Sequence, residues 1–543
     1  MPADNRTPAA LSSQRSPVSL LLIGVIVFVN FVAFFSRLGR IGLVGNDEPR
    51  YASIADSMSE SGDWVTPRLN GSPWFEKPIL YYWCGAISFK LFGETDYAAR
   101  LPSGIAGLIA TIAIAWAAKR FYGVAATVFA VLMLPTTVAV VGFARGAGPD
   151  MLFASALTTA MALSAEIVSR LGNDWKLCAA FGAVIGLACL AKGPAAIVLA
   201  GGAIASWAFL AREWNRAFRA AHPAAIAACA VVAVPWYAIC ASRNPDFLRT
   251  FFFLHNVERF ATPVFHHVKP FWYFIPVVLL GVIPWLALTA QIIRDARIVL
   301  SHRVSGSRPG MYFACWAGFV ILFFSISKSK LPGYVLPAIP ALVVLFAGAA
   351  VTLIQRRETE LSRWTCIGFG LTWLVIAIGV AAWRYQLPEN SPLADLPIRG
   401  WLVLLAAAGL LIVALGSARR ITAALVANAI CFALIFEAAN IALLPAIDPL
   451  VSARESAIEA TAAGFGTSAT QSFELREPWK FGLEHYLTHT LNEFSPDARL
   501  QLKNATSLVI FTPRTGCLHL IADGLKCQAV QQVSPEAWLV KVE

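Results

Sequence analysis

The stretch "GNDEPRYASIADSMSESGDWVTP", Gly45 to Pro67, sets two acids and an arginine side by side soon after the apolar run 17–36, which is long enough to cross a membrane. Tyr51, Ile54, Ala55 and Met58 recur at helical spacing, Pro49 suits a first turn and Gly62 a C-terminal stop. The stretch therefore reads as an amphipathic helix lying on a membrane surface. Taken alone, Asp47 is an N-cap and Glu48 a favourably placed first-turn acid. Other charges on the same side of the membrane give both a second reading.

Of the 543 residues, 57% are hydrophobic and 14% charged, and the mean hydropathy is +0.64. Soluble domains carry about 25% charged residues, so this is a polytopic membrane protein. The net charge of +11 is not arranged as a basic stripe interleaved with aromatics, which argues against a nucleic-acid partner. It suits membrane topology and anionic lipid or phosphate ligands. Arg6 and Arg15 precede the first apolar run as in a secretory signal, yet the run continues to Ser36 without a small-residue cleavage pattern and reads as a first membrane helix.

Further apolar runs fall near 97–118, 122–142, 150–169, 177–191, 194–211, 223–241, 271–292, 310–326, 331–354, 364–383, 400–416 and 421–444, making about 13 transmembrane helices. Short loops closing alternate runs carry Lys119 and Arg120, Arg170 and Lys176, Arg212 to Arg219, Arg294 to Arg308, Arg356 to Arg363, and Arg419 and Arg420. These loops mark the cytoplasmic face together with the N-terminus. Residues 1–445 then form a membrane domain with long outer loops at about 37–96 and 242–270, and 446–543 an extracytoplasmic domain. In the latter, "SLVIFTP", "CLHLIAD" and "AWLVKVE" read as strands of a small α/β fold. Eight cysteines lie singly in apolar segments; Cys517 and Cys527 stand apart in the polar C-terminal region, where a disulfide and a free pair are both compatible with the sequence.

The alternation of sides brings the unusual charges to one face. Glu76 and Lys77 lie in the first outer loop, Arg145 and Asp150 at the next outer turn and Lys192 in "LAKGP". His255, Glu258, Arg259, His266 and His267 lie in the second long loop, and Lys328 and Lys330 in "SKSKLPGY". A single such lysine is accounted for by snorkelling. Carboxylates beside several cations suit an anionic ligand such as a phosphate: the cations bind its oxygens and a carboxylate handles a hydroxyl or amine.

The motifs "NDEPRYASIADSMSESGDWVTPRLNGSPWFEKPILYYW", "YAARLPS", "RGAGPDMLFA", "LAKGP", "HNVERF" and "SKSKLPGYVLPAIPAL" resemble the bacterial 4-amino-4-deoxy-L-arabinose lipid A transferases. These lie within the wider superfamily of polyprenyl-phosphate-sugar glycosyltransferases (GT-C type) that includes protein O-mannosyltransferases. The resemblance implies a membrane glycosyltransferase of the bacterial inner membrane, active as a monomer on the periplasmic side among membrane lipids. It would move an aminoarabinose from undecaprenyl phosphate to a lipid A phosphate. By the same resemblance Asp47, Glu48, Arg50 and Asp150 are catalytic candidates, and Tyr51, Lys77, Lys192, Arg259, Lys330 and Tyr334 surround the donor phosphate and lipid. Glu76 and His255 are offered as ligands of a divalent metal, zinc or similar. The alternatives are a related transferase with another sugar donor or a glycan or protein acceptor, and a transporter or lipid flippase. Transporters place charges near the bilayer midplane within inverted repeats, whereas no repeat is visible here.

Overall fold

The structure is a computed structural model that describes residues 20–258, 268–301, 309–355, 360–387, 393, 396, 398–466, 470–495, 508–533 and 537–542. Among them nine helices are long and apolar enough to cross a membrane, and a tenth span is the pair Val124–Thr136 and Val138–Ala144, bent by 61°. The predicted runs 17–36, 194–211 and 271–292 instead coincide with shorter apolar helices, Leu20–Phe34, Ala195–Ala211 and Phe271–Gly281. Among the described residues nine or ten of the thirteen predicted runs thus have the length and apolarity of a span, and the other three coincide with these shorter apolar helices. The bend has a local cause. Leu134, Pro135 and Thr136 tighten into a 3₁₀ turn, the Thr136 hydroxyl donates back to the carbonyl of Leu132, and the Trp285 indole N–H donates to Thr136 Oγ1 at 3.0 Å.

Seven helices position the site: α1 (Leu20–Phe34), α2 (Asp47–Ser61), α3 (Leu80–Phe92), α4 (Asp96–Tyr122), α5 (Val124–Met133), α6 (Val138–Ala144) and α7 (Pro149–Ser169), followed by α8 (Trp175–Lys192) and α9 (Ala195–Ala211). The amphipathic α2 forms as the spacing suggests. It buries Tyr51, Ile54, Ala55 and Met58, and it ends at Gly62, which takes the left-handed conformation (φ 71°) and donates its N–H to the Met58 carbonyl. Asp47 is not the N-cap. It is the first helical residue, Asn46 holds the cap position without a side-chain bond to the helix's own N–H groups, and the Asp47 carboxylate turns instead to Arg50. Between α2 and α3 a two-stranded hairpin, β1 (Arg68–Leu69) and β2 (Ser72–Pro73), delivers Glu76 and Lys77 back to the N-terminus of α2.

The last apolar helix runs through a π turn from Ile421 to Val451, so the predicted boundary at 445 falls inside it. Beyond it lies a four-stranded sheet in the order β3 (Gln471–Ser472), β4 (Leu508–Thr512), β6 (Trp538–Val542), β5 (Cys527–Gln532), with β3 parallel to β4 and the other pairs antiparallel. Two of the three predicted strands form here. "CLHLIAD" falls instead in the helix Arg514–Ala522, which follows Pro513 and turns Gly516 and Leu520 inward at helical spacing; so short an apolar run fits either period. Cys517 and Cys527 form a disulfide between this helix and β5.

This domain is bonded to the first outer loop. Tyr486 Oη accepts from the Leu43 N–H and donates to Asp96 at 2.7 Å each, and the Arg454 guanidinium bridges Asp96 (2.8 Å) and Asp448.

Candidate active site

The loop that carries the quoted stretch is fixed by one buried arginine. Arg100, in the second turn of α4, spends all five N–H donors: on the carbonyls of Leu38 (2.8 Å), Ile41 (2.6 Å) and Gly42 (2.7 Å), and on both Glu48 oxygens (3.1 and 2.6 Å). Glu48 completes the arrangement by accepting the N–H groups of Val44 (2.8 Å) and Ala147 (2.7 Å). Both residues are buried. Glu48 is therefore a strut of the chamber and not one of its reacting groups, a correction to its place beside Asp47 among the catalytic candidates. The physical reason is position on the helix: residue 48 faces α4 while residue 47 faces out. Arg145 is likewise structural, donating to Asn440 at 3.2 Å and lying 5.1 Å from the Phe436 ring centroid.

Asp47 keeps 63% of its side-chain accessible surface. Enough protein still surrounds it that desolvation raises its pKa above the usual aspartate value; Arg50 pulls it down, Glu76 pushes it up, Lys77 pulls it down and Asp150 pushes it up. Asp47 is thus an open carboxylate within electrostatic reach of all four groups. Arg50 bridges Asp47 (2.5 Å) and Glu76 (3.0 Å), and Lys77 meets the other Glu76 oxygen at 2.8 Å. Behind them Tyr51 is almost fully buried, its ring 5.9 Å from Tyr81 and 6.2 Å from Tyr82. It backs the charged cluster and does not offer an open surface to a donor, as the resemblance had suggested.

The second half of the chamber comes from α7, α8 and the turn Pro332–Ala338. Lys192, the last residue of α8, pairs with Asp150 in the first turn of α7, and its ammonium lies 5.4 Å from the Tyr334 ring centroid and 5.8 Å from that of Phe153. Gly333 admits this approach: a Cβ there would sit 2.8 Å from Asp150 Oδ1 and 2.9 Å from the Phe143 ring. Lys330 departs from expectation. It is buried and its ammonium donates to the Ser327 carbonyl, so it acts within its own turn. Arg259, with His266 and His267, lies outside the described residues. His255 is half-buried on the segment Arg249–Glu258.

Of the two residues proposed for a metal, Glu76 already carries two cations. Each Glu76 oxygen already faces a cation, Arg50 or Lys77, so a divalent ion would enter a carboxylate already neutralised by two positive side chains. No step below passes through a metal. The one group of three potential ligands among the described residues is Asp56, Glu60 and Glu94. There burial and a hydrogen bond with Glu94 raise Asp56 to about 7.

An apolar cavity of about 630 Å³ lies between α8, α9 and the helix Pro223–Arg243. It runs from Trp214 and Phe218 at one end to Cys189, Pro194, Tyr237 and Phe252 at the other, which flanks Lys192 in the chain.

A family profile described as dolichyl-phosphate-mannose-protein mannosyltransferase matches residues 76–239. The undecaprenyl phosphate-alpha-4-amino-4-deoxy-L-arabinose arabinosyl transferase of Edwardsiella ictaluri is 33% identical over 341 residues, 61% of this chain and 59% of that protein. The protein of the same name from Aeromonas hydrophila is 33% identical over 337 residues, 61% and 60% of the two chains. The crystal structure of ArnT from Cupriavidus metallidurans bound to undecaprenyl phosphate matches with TM-score 0.78 at 25% identity, over 96% of this chain and 97% of that one. The chain is similar to the aminoarabinose transferases in sequence and shares the fold of ArnT. It is a polytopic α-helical membrane protein of the GT-C type with a small C-terminal α/β domain. The archaeal oligosaccharyltransferase AglB from Archaeoglobus fulgidus shares the fold alone, with TM-score 0.50 at 13% identity over 87% of this chain and 64% of AglB. The aligned region spans about three fifths of the length of the two curated transferases.

Sequence reasoning missed Arg100 and the rings of Trp74 and Phe481, whose centroids lie 5.4 and 5.6 Å from the Arg50 guanidinium carbon. An arginine inside the apolar run opened by "YAARLPS" was a usable signal for the first, since a charge there needs a partner. The two aromatics gave no signal in so aromatic a chain.

Proposed function

We propose that the protein moves an aminoarabinose from undecaprenyl phosphate to a phosphate of lipid A at the periplasmic face of the inner membrane. The observation that carries this reading is an apolar groove lined by Cys189 and Pro194, which flank in the chain the Lys192 that pairs with Asp150: a lipid tail fits the groove, and its phosphate lies toward that lysine. Lys77 and Lys192 neutralise the charge that builds on the departing undecaprenyl phosphate as the bond from its oxygen to the anomeric carbon breaks. The electron pair leaves with that oxygen. An acceptor phosphate oxygen forms the new bond from the opposite side, which inverts the anomeric centre. A phosphate monoester has its second pKa near 6 and is already an anion near neutrality, so the attack requires no strong base. Asp47 then stabilises positive charge on the sugar ring and orients the acceptor. Tyr334 and the Asp150 carboxylate hold Lys192 in place.

Mass spectrometry of lipid A from cells with and without the protein tests the reading. A pentosamine added to a phosphate only when the protein is present supports it, and unmodified lipid A in cells that make the donor refutes it. Lys77→Ala should raise the KM for the donor roughly 10- to 100-fold, the loss of one charge-assisted bond, with a smaller change in kcat; an unchanged donor KM would remove Lys77 from the phosphate clamp. Chelation with EDTA should leave turnover unchanged, since cations already occupy Glu76. Loss of activity that added zinc restores would reinstate Glu76 and His255 as metal ligands.

A further inference from the structure

We propose that Phe481, from the C-terminal domain, is a positioning residue of the transfer site that holds Arg50 between Asp47 and Glu76. The proposal rests on the functional reading above for its activity measurements, and one of its tests is independent of it.

Arg50 is enclosed by three aromatic rings from three parts of the chain: its guanidinium carbon lies 5.6 Å from the centroid of Tyr51, 5.4 Å from Trp74 and 5.6 Å from Phe481. Its Nε is buried and has no hydrogen-bond partner among the described residues. Ring faces therefore hold one side of the guanidinium where a hydrogen bond does not, and the terminal nitrogens are directed to Asp47 and Glu76.

Phe481 lies on the helix Glu477–Leu487, whose Trp479, Leu483 and Leu487 turn into the core of the C-terminal domain. Phe481 points the other way and packs against the core of the membrane domain. Contacts along the helix fix its register on the first outer loop: Asn46 donates to Glu477 at 2.9 Å, Asn70 donates to Glu484 at 3.1 Å, and Ser53 Oγ bonds His485 Nδ1 at 3.0 Å. The ring of Phe481 is thus carried to Arg50 by a helix pinned on both sides of it. A hydrophobic side chain placed only to seal the interface would not need an aromatic face toward a guanidinium. Removing the ring frees Arg50 to leave the bridge, and Asp47 loses the cation that orients it.

The test is a set of substitutions at 481 in the full-length protein, assayed with a polyprenyl-phosphate-linked pentose donor. Phe481→Ala should lower kcat about tenfold with the donor KM within about twofold of wild type. Phe481→Leu keeps the volume but not the ring face and should lose a similar amount, while Phe481→Trp and Phe481→Tyr should recover most of the turnover. A Phe481→Leu enzyme as active as wild type would reduce the residue to interface packing and overturn the proposal, as would an unchanged Phe481→Ala. Melting temperatures of wild type, Phe481→Ala, Arg50→Ala and the double variant give the independent arm. Coupling between the two substitutions supports the contact even if the donor proves to be a different one, and strict additivity overturns it.

Discussion

Asp47→Asn is expected to turn over at least about 100-fold more slowly than wild type, the usual cost of removing one group aimed at charge that develops during reaction. The substitution keeps the size of the side chain and an oxygen that accepts from Arg50, and it removes only the negative charge. Because Asp47 keeps most of its side-chain surface open to water, the change should leave the melting temperature of the purified protein within a few degrees of wild type. Initial rates of sugar transfer at saturating donor, measured beside a thermal melt in the same detergent, check both halves. Turnover near wild type would take Asp47 out of the mechanism, and a collapsed melt would show that it serves the fold.

Arg100→Met should do the reverse. The arginine spends five donors on three loop carbonyls and on Glu48, and its removal leaves a buried carboxylate without a counter-charge. Breaking such a pair from one side costs about 3–5 kcal/mol, enough to lower the melting temperature by several degrees or to prevent accumulation in the membrane. Adding Glu48→Gln to Arg100→Met should recover part of the loss, because the orphaned charge is then gone. A single variant that melts like wild type would mean that the loop is held by something other than this pair. The neighbours Asp47 and Glu48 thus separate cleanly: one is expected to control rate, the other stability.

Much of this was legible before any coordinates. The surface helix after the first apolar run, its stop at Gly62 and the gathering of Asp47, Glu76, Lys77, Asp150, Lys192 and Tyr334 on one side follow from spacing, alternation of sides and motif resemblance. Adjacent residues were harder to tell apart. Asp47 and Glu48 carry the same charge and stand one position apart, yet a rotation of about 100° along the helix sends one to the chamber and the other to Arg100. Lys192 and Lys330 look alike in sequence as well, but one ends a helix facing Asp150 and the other closes on the Ser327 carbonyl of its own turn.

Composition and hydropathy by themselves determined that the chain lives in a membrane, because so many apolar residues cannot be hidden in a soluble core of this size. Periodicity determined that the acidic stretch is helical. Only the tertiary structure decided which charges are buried in bracing pairs and which stay open, and that the C-terminal domain reaches Arg50 through Phe481. The physical reason is that partnership between groups hundreds of residues apart depends on how helices pack, and a buried ion pair and an open one are written with the same letters.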